Sequence, residues 1–268
     1  MRTYAEKPRT SLGWTGLAKD PALDGSGDLG AGLELSRRLL AEIGDLGVAC
    51  AAELLDPLVA PYLVDLLAWA AIGARTAESP PHRELASGLP LPVGFKNATD
   101  GRVDVAVHAI ATARRPQVRI AHAADGAPCV ARTRGNPDAH LVLRGGARGP
   151  NYTEACVADA VARVAPLGLA RPVLVDCSHD NSGKDPTRQP GVLRDVVSQV
   201  AGGSRAILGF MLESHLRPGR QDLCAGAPLA YGVSITDACL GWDETERLLF
   251  STAGALRRLR RNRAKDPV

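Results

Sequence analysis

Positively charged side chains recur where short apolar segments of this chain end. Lys7 and Arg9 follow an extended opening segment, Arg75 follows "AWAAIGA", Lys96 follows "LPVGF" and Arg144 follows "HLVL". The carboxyl ends of parallel strands share one face of an α/β protein, so we expect these cations, together with Arg2, to converge. Converging cations repel one another unless the ligand carries comparable negative charge. Because guanidinium groups suit phosphate and carboxylate, we predict a small, multiply anionic, phosphorylated ligand.

Acidic and imidazole side chains also follow apolar segments of the chain. Glu53 follows "ACAA", His179 follows "PVLVDCS", and Glu213 follows "ILGFML", whereas Asp237 comes from a loop. The single nitrogen and two oxygen donors of His179, Glu213 and Asp237 suit a divalent metal such as Mn, Fe, Co or Zn. Spacing alone is a weak sign at such wide separation, and a hydrogen-bonded histidine at a strand end is the alternative interpretation of His179.

The elements that would position these residues alternate along the chain. Six nearly continuous apolar runs, beginning near residues 47, 68, 91, 140, 171 and 205, are typical of strands buried on both faces. Stretches with helical spacing, such as "GLELSRRLLAEIGDLG", lie between most of them. The segment "QVRIAHAADGAPCVARTRG" instead predicts an inserted β-hairpin. This alternation predicts an α/β fold with a parallel sheet, and a closed barrel gathers the strand ends more naturally than an open sheet.

Composition narrows the class of protein. The chain has 268 residues, of which 45% are hydrophobic and 23% charged, as in a globular protein of one large or two small domains. It has no apolar run long enough to span a membrane and no signal-peptide core near residue 1. A net charge of +3 does not argue for nucleic acid as a partner. Six cysteines without a CxxC spacing predict reduced thiols, and we therefore expect a cytoplasmic protein.

Several longer segments together resemble the type I DAHP synthase family, where DAHP is 3-deoxy-D-arabino-heptulosonate 7-phosphate. They are "EKPRTSLGWTGL", "AAIGARTAES", "HRELASGLPLPVGFKNATDG", "HLVLRGG", "VDCSHDNSGK", "GFMLESH" and "YGVSITDACLGWDETERLL". The resemblance runs through essentially the whole chain in order. It implies that residues 1–268 form a single catalytic (β/α)8 TIM barrel. That barrel would use one divalent metal to condense phosphoenolpyruvate with D-erythrose 4-phosphate, the first step of the shikimate pathway.

The resemblance also implies roles for individual residues. Its catalytic residues would be Lys7, Lys96 and His179. Phosphoenolpyruvate would be bound by Arg2, Lys7, Glu53, Ala74, Arg75, Lys96 and Arg144. Erythrose 4-phosphate would be bound by Lys7, Pro8, Arg9 and Thr10. The metal ligands would be His179, Glu213 and Asp237.

Two departures from the family pattern qualify these expectations. The family places a "GPCS"-type strand, whose cysteine is a fourth metal ligand, before the segment that opens this chain. We therefore expect a barrel that lacks the first strand and has seven regular strands, and none of the six cysteines is an evident replacement ligand. Thr15 stands where the family usually has lysine, which lowers the positive charge near the site.

Three functional interpretations remain open from the sequence. The first is a DAHP synthase, which the retained cations and metal ligands favour. The second is a non-catalytic or impaired barrel that acts as a binding or partner subunit, which the missing strand and cysteine favour. The third is a synthase-like enzyme of specialised metabolism that uses another aldehyde. The sequence leaves a homo-oligomer and a feedback inhibitor open, and predicts small phosphorylated substrates but neither nucleic-acid nor membrane partners.

Overall fold

The computed structural model describes residues 1–8, 13–123, 125–170, 172–224 and 227–265. The chain divides into two compact units, Met1–Leu141 and Val142–Val268. The described residues contain nine strands and six helices. The strands are β1 Arg2–Thr3, β2 Ala51–Glu53, β3 Trp69–Ile72, β4 Val93–Lys96, β5 Val118–His122, β6 Pro128–Arg132, β7 His140–Leu143, β8 Val173–Asp176 and β9 Ile207–Met211. The helices are α1 Leu29–Asp45, α2 Pro80–Gly88, α3 Asp104–Ala113, α4 Glu154–Val164, α5 Gln189–Ala201 and α6 Trp242–Lys265.

The first unit is built on a parallel sheet in the order β1-β2-β3-β4, followed by the start of β7. Its register pairs Arg2 with Ala51, and Glu53 with Ala71. All four residues of β4 are buried, as expected for strands covered on both faces. Because the strands run in parallel, Glu53 and Lys96, the last residues of β2 and β4, lie at the same edge of the sheet.

Helix α1 shows why the predicted helices form where they do. The Asp28 side chain accepts a hydrogen bond from the backbone N–H of Ala31, which caps the first turn. Leu40 and Ile43 on one face are buried, as the helical spacing predicts. Helix α2 has nine residues and begins with two prolines, which are favoured in a first helical turn.

The predicted inserted hairpin is confirmed. Strands β5 and β6 pair in antiparallel register from Val118 with Arg132 to His122 with Pro128. They form a separate two-stranded sheet. Their residues alternate between exposed and half-buried, as in a ribbon with one solvated face.

The second unit continues the strand sequence with β7, β8 and β9 in that order. Strands β8 and β9 pair in parallel, with a shift in register between Val173 and Leu174. Helix α5 packs against β9 and α6. Outside the hairpin, the described strands number seven, as the sequence predicted, and their order follows the chain. This succession of parallel strands and helices is the arrangement of a (β/α) barrel.

Two further expectations can be compared with the structure. None of the six cysteines, all within the described ranges, is in a disulfide bond, as predicted. Among the described residues, no helix combines the length and the apolar character that crossing a membrane would require.

Candidate active site

Glu53 is the centre of a charged cluster in the first unit. Its side chain is almost fully buried, and its Oε2 atom accepts hydrogen bonds from Arg2 Nη2 at 2.9 Å and from Lys96 Nζ at 3.2 Å. Lys96 is as buried as Glu53. The parallel sheet brings the three residues together, because Arg2, Glu53 and Lys96 lie on β1, β2 and β4 of the same sheet.

The pKa of Glu53 shows how strongly the cations act on this carboxylate. Burial raises the pKa of a carboxylic acid. Here the charges of Lys96, Arg2 and Lys7 outweigh burial and hold the pKa of Glu53 at about 2. Glu53 is therefore ionised at neutral pH. Three cations thus act on one buried carboxylate, and a group of cations of this kind suits an anionic ligand.

Tyr4 links two of these cations. Its ring lies 4.8 Å from Arg2 Cζ and 5.0 Å from Lys7 Nζ, distances at which cation–π attraction operates. The backbone N–H of Lys7 also donates to Thr15 O at 3.0 Å, which fixes the chain beside Pro8. Arg9 and Thr10, predicted to contact erythrose 4-phosphate, lie outside the described residues.

The turn after β3 carries Ala74 and Arg75, both predicted to bind phosphoenolpyruvate. Ala74 is half-buried and Arg75 is exposed. Gly73, just before them, accommodates the Glu53 carboxylate, because a Cβ atom at Gly73 would lie 2.3 Å from Glu53 Oε1. The absence of a side chain at Gly73 is thus a condition for the Glu53 cluster.

The second unit contains the predicted metal ligands. Ligand atoms of His179, Glu213 and Asp237 all lie within 4.8 Å of one another. They come from three separate segments: the turn after β8, the end of β9, and the loop before α6. One imidazole nitrogen and two carboxylates form a donor set that fits a divalent transition metal. The structure therefore brings together the residues that could hold the ion.

Neighbouring groups orient His179 in this cluster. Asp176 Oδ2 lies 2.9 Å from His179 Nδ1, and Ser178 Oγ lies 2.8 Å from the same nitrogen. The other nitrogen, Nε2, lies 3.7 Å from Glu213 Oε1. A carboxylate on one ring nitrogen fixes the imidazole so that the second nitrogen can face a metal. His179 also has a φ of 51°, a conformation that few residues other than glycine adopt.

Glu213 is fixed through its backbone. The buried amide of Gln189 donates to Glu213 O at 3.1 Å and accepts from the Glu213 N–H at 2.8 Å. The N–H of Leu240 donates to the same carbonyl at 3.0 Å. This contact joins Glu213 to the segment that carries Asp237.

Two cysteines lie beside the metal ligands. Burial raises the pKa of the Cys177 thiol, and the charge of Asp176 raises it further, so that this thiol stays protonated at neutral pH. The Cys239 thiol donates to Asp237 O at 3.4 Å. Among the described residues, the group that could hold a metal contains neither thiol.

Arg144 completes the set of predicted residues in the second unit. It follows β7, is 7% exposed, and forms an ion pair in which Nη1 lies 2.8 Å from Asp180 Oδ2. Asn181 supports this region by donating to Leu143 O at 3.1 Å and to Asp176 O at 2.8 Å. The hydrogen bonds of Asn181 therefore connect the turn after β8 to the end of β7, next to the Arg144–Asp180 pair.

Sequence reasoning missed several residues that shape these clusters. They are Tyr4, Gly73, Asp176, Asp180, Asn181 and Gln189. Asp176, Asp180 and Asn181 all lie in the "VDCSHDNSGK" motif, so their position beside His179 was the available signal. Nothing comparable in the sequence pointed to Gln189, because its role depends on a contact with Glu213, 24 residues later in the chain.

Residues 1–250 of the chain match the DAHP synthetase I family. The chain is 49% identical over 257 residues to the Phe-sensitive phospho-2-dehydro-3-deoxyheptonate aldolase of Escherichia coli K12, covering 96% of this chain and 73% of that protein. It is 45% identical over 259 residues to a putative phospho-2-dehydro-3-deoxyheptonate aldolase of Schizosaccharomyces pombe, covering 96% of this chain and 70% of that protein.

A solved structure supports the same relationship. Phospho-2-dehydro-3-deoxyheptonate aldolase from Francisella tularensis SCHU S4 superposes with a TM-score of 0.92 at 44% sequence identity. The match covers 96% of this chain and 75% of that one. Together with the seven parallel strands of the described residues, this similarity confirms the predicted fold class, a (β/α)8 barrel with an inserted hairpin.

Proposed function

This chain belongs to the DAHP synthetase I family, and we propose that its two charged clusters carry out the condensation of phosphoenolpyruvate with D-erythrose 4-phosphate and water. The products are 3-deoxy-D-arabino-heptulosonate 7-phosphate and inorganic phosphate, and the reaction opens the shikimate pathway. The observation that carries the proposal is the approach of His179, Glu213 and Asp237 to within 4.8 Å from three distant segments. A barrel retained only for binding a partner would have no need of this arrangement.

Phosphoenolpyruvate binding is the proposed task of most of the cations. Arg75, Lys96 and Arg144 bind its phosphate and carboxylate. Arg2, Lys7, Glu53 and Ala74 complete the subsite. The grouping of Arg2, Lys7 and Lys96 around Glu53 supports this assignment, because clustered cations attract an anion. Lys7, Pro8, Arg9 and Thr10 bind erythrose 4-phosphate.

In the proposed reaction, the enol carbon of phosphoenolpyruvate attacks the aldehyde carbon of erythrose 4-phosphate. Water adds to the neighbouring carbon, and phosphate leaves. The two substrates are both anions and repel each other. The cations hold them in reacting geometry despite this repulsion, and this positioning raises the rate. Lys7, Lys96 and His179 are the residues that we place next to the reacting groups.

The metal ion is part of this proposal. His179, Glu213 and Asp237 would hold one Mn, Fe, Co or Zn ion, which acts as a Lewis acid toward the aldehyde when bound. Asp176 keeps the His179 imidazole oriented through Nδ1, so that Nε2 remains directed toward Glu213. Because the substrates are small phosphorylated metabolites and the six thiols are free, we also propose a cytoplasmic location.

The test measures condensation directly. Phosphate release and loss of phosphoenolpyruvate are followed with erythrose 4-phosphate, with and without Mn²⁺, for wild type and His179→Ala. We expect turnover only in the metal-loaded wild type. Full turnover by His179→Ala would contradict the assignment of the metal ligands. A panel of other aldose phosphates tests the alternative of specialised metabolism, because faster turnover with another aldehyde would favour it. Absence of turnover with every aldehyde would favour a non-catalytic barrel.

A further inference from the structure

Arg144, which we assign to an anionic ligand, is already paired with a carboxylate in the structure. Arg144 is 7% exposed, and its guanidinium is joined at 2.8 Å to the carboxylate of Asp180. The Asp180 side chain is 23% exposed, so it lies at the boundary with solvent. A buried arginine needs a nearby negative charge, and Asp180 supplies one when no ligand is bound.

The backbone holds Asp180 in this position. Asp180 lies in the single turn His179–Asn181, and the Asn181 side chain ties this turn to Leu143 and Asp176. The turn passes so close to Gly145 that a Cβ atom there would lie 2.6 Å from Asp180 C. The packing of the two turns therefore places Asp180 next to Arg144 and fixes the ion pair.

The carboxylate also has an alternative environment. Asp180 lines a cavity of about 690 Å³ together with Arg188 and Arg194. A carboxylate that leaves Arg144 can remain hydrated in this cavity, near two other cations.

We propose that Asp180 is a counter-charge on Arg144 that the anionic group of the substrate must displace, and that Asp180 thereby limits the affinity of this subsite for anions. The inference rests on the proposed function, because it takes Arg144 as a phosphoenolpyruvate-binding residue. Asp180 itself has no part in the proposed reaction and is not one of the three metal ligands.

Displacement also sets selectivity. A weakly charged anion gains too little from Arg144 to replace a carboxylate that is already held in place. Phosphoenolpyruvate carries both a phosphate and a carboxylate, so it can replace Asp180 and still contact other cations. Asp180 therefore discriminates against simple anions more strongly than against the substrate.

The test compares Asp180→Asn with wild type and with a matched control, Asp159→Asn. Asp159 is also paired with an arginine, Arg163, at 2.8 Å, but this pair is exposed on α4. Binding of phosphoenolpyruvate, and separately of inorganic phosphate, is measured by titration calorimetry on metal-free protein at one ionic strength. We expect Asp180→Asn to bind phosphoenolpyruvate about tenfold more tightly, equivalent to about 1.4 kcal/mol, and to gain more than this for phosphate. Asp159→Asn should match wild type.

Other results would overturn the inference. Unchanged or weaker binding by Asp180→Asn would show that Asp180 orients Arg144 instead of competing for it. An equal gain in Asp159→Asn would show an effect of net charge alone. The amide of Asp180→Asn could still contact Arg144, so Asp180→Ser serves as a second variant. Thermal unfolding checks that both variants are folded. In an Arg144→Ala background the gain should disappear, and its persistence would refute the role of Arg144.

The outcomes also separate this inference from the proposed function. If Asp180→Asn gains affinity for phosphate while wild type neither binds phosphoenolpyruvate nor catalyses condensation, the proposed function fails and the counter-charge stands. If wild type catalyses condensation but Asp180→Asn binds both anions as wild type does, only the counter-charge fails.

Discussion

Replacement of Glu53 by glutamine would test the first cluster most directly. The change keeps the shape of the side chain but removes the negative charge that Arg2 and Lys96 share. Both cations would then lose the counter-charge that structure places between them. We expect the folded protein to be less stable at neutral pH, because a buried charge left without its partner is costly.

The size of the effect follows from the pKa of Glu53. The surroundings lower this pKa from 4.5 to about 2, although burial alone would raise it. Each pKa unit corresponds to about 1.4 kcal/mol, so the ionised form stabilises the fold by roughly 3 kcal/mol. Loss of one partner from a buried ion pair typically costs about 3–5 kcal/mol, which agrees with this value.

The same pKa predicts the dependence on pH. Because the folded-state pKa lies below 4.5, the unfolded chain takes up the proton first as the pH falls. The stabilisation is complete above pH 4.5 and is lost as the pH falls toward 2. The stability difference between wild type and Glu53→Gln should therefore shrink across this window.

Urea unfolding followed by tryptophan fluorescence measures both effects. The matched control is Glu244→Gln, because Glu244 is also paired with an arginine, Arg247, but lies on the exposed surface of α6. This control should change the free energy of unfolding far less than Glu53→Gln does, because an ion pair exposed to solvent contributes little. The reasoning is refuted if Glu53→Gln costs no more than Glu244→Gln, or if its cost is independent of pH.

Three further predictions concern single sites. Gly145→Ala should destabilise the protein by more than Gly168→Ala. Both glycines have positive φ, but only at Gly145 would a Cβ atom meet backbone, 2.6 Å away. Thermal unfolding of both variants checks this. Gln189→Ala should lower metal affinity by roughly 10–100-fold, since the amide fixes Glu213, and a Mn²⁺ titration that matches wild type would contradict it. Arg75→Ala should leave stability unchanged but weaken phosphoenolpyruvate binding by roughly 1.5–3 kcal/mol, and calorimetry with unchanged affinity would remove Arg75 from the subsite.

The sequence predicted most of what positions the two clusters. Apolar runs located the strands, and the charged residues that follow them marked Glu53, Lys96, Arg144 and His179 as candidate site residues. This works because a strand buried on both faces must be nearly continuous in apolar residues, so that the first charged residue reports where it ends. The hairpin was predictable for a related reason, since its two extended runs flank a turn-like "ADGAP" segment.

What the sequence did not predict are the partners of those residues. Asp180 is adjacent to His179 in the chain, yet its contact is with Arg144, 36 residues earlier. Gln189 opens α5, but its amide reaches the backbone of Glu213 on a different element. Such contacts depend on how turns and helices pack against one another. The types and spacing of nearby residues in the sequence do not reveal that packing.

The cations of the two clusters differ in the carboxylates beside them. The charges of Lys96, Arg2 and Lys7 all act on the buried carboxylate of Glu53 and lower its pKa. The guanidinium of Arg144 instead forms an ion pair with Asp180, whose side chain lies at the boundary with solvent. If Asp180 is the counter-charge that we propose, an anion reaching Arg144 must exchange places with a carboxylate. That exchange would favour anions that carry enough charge to replace Asp180.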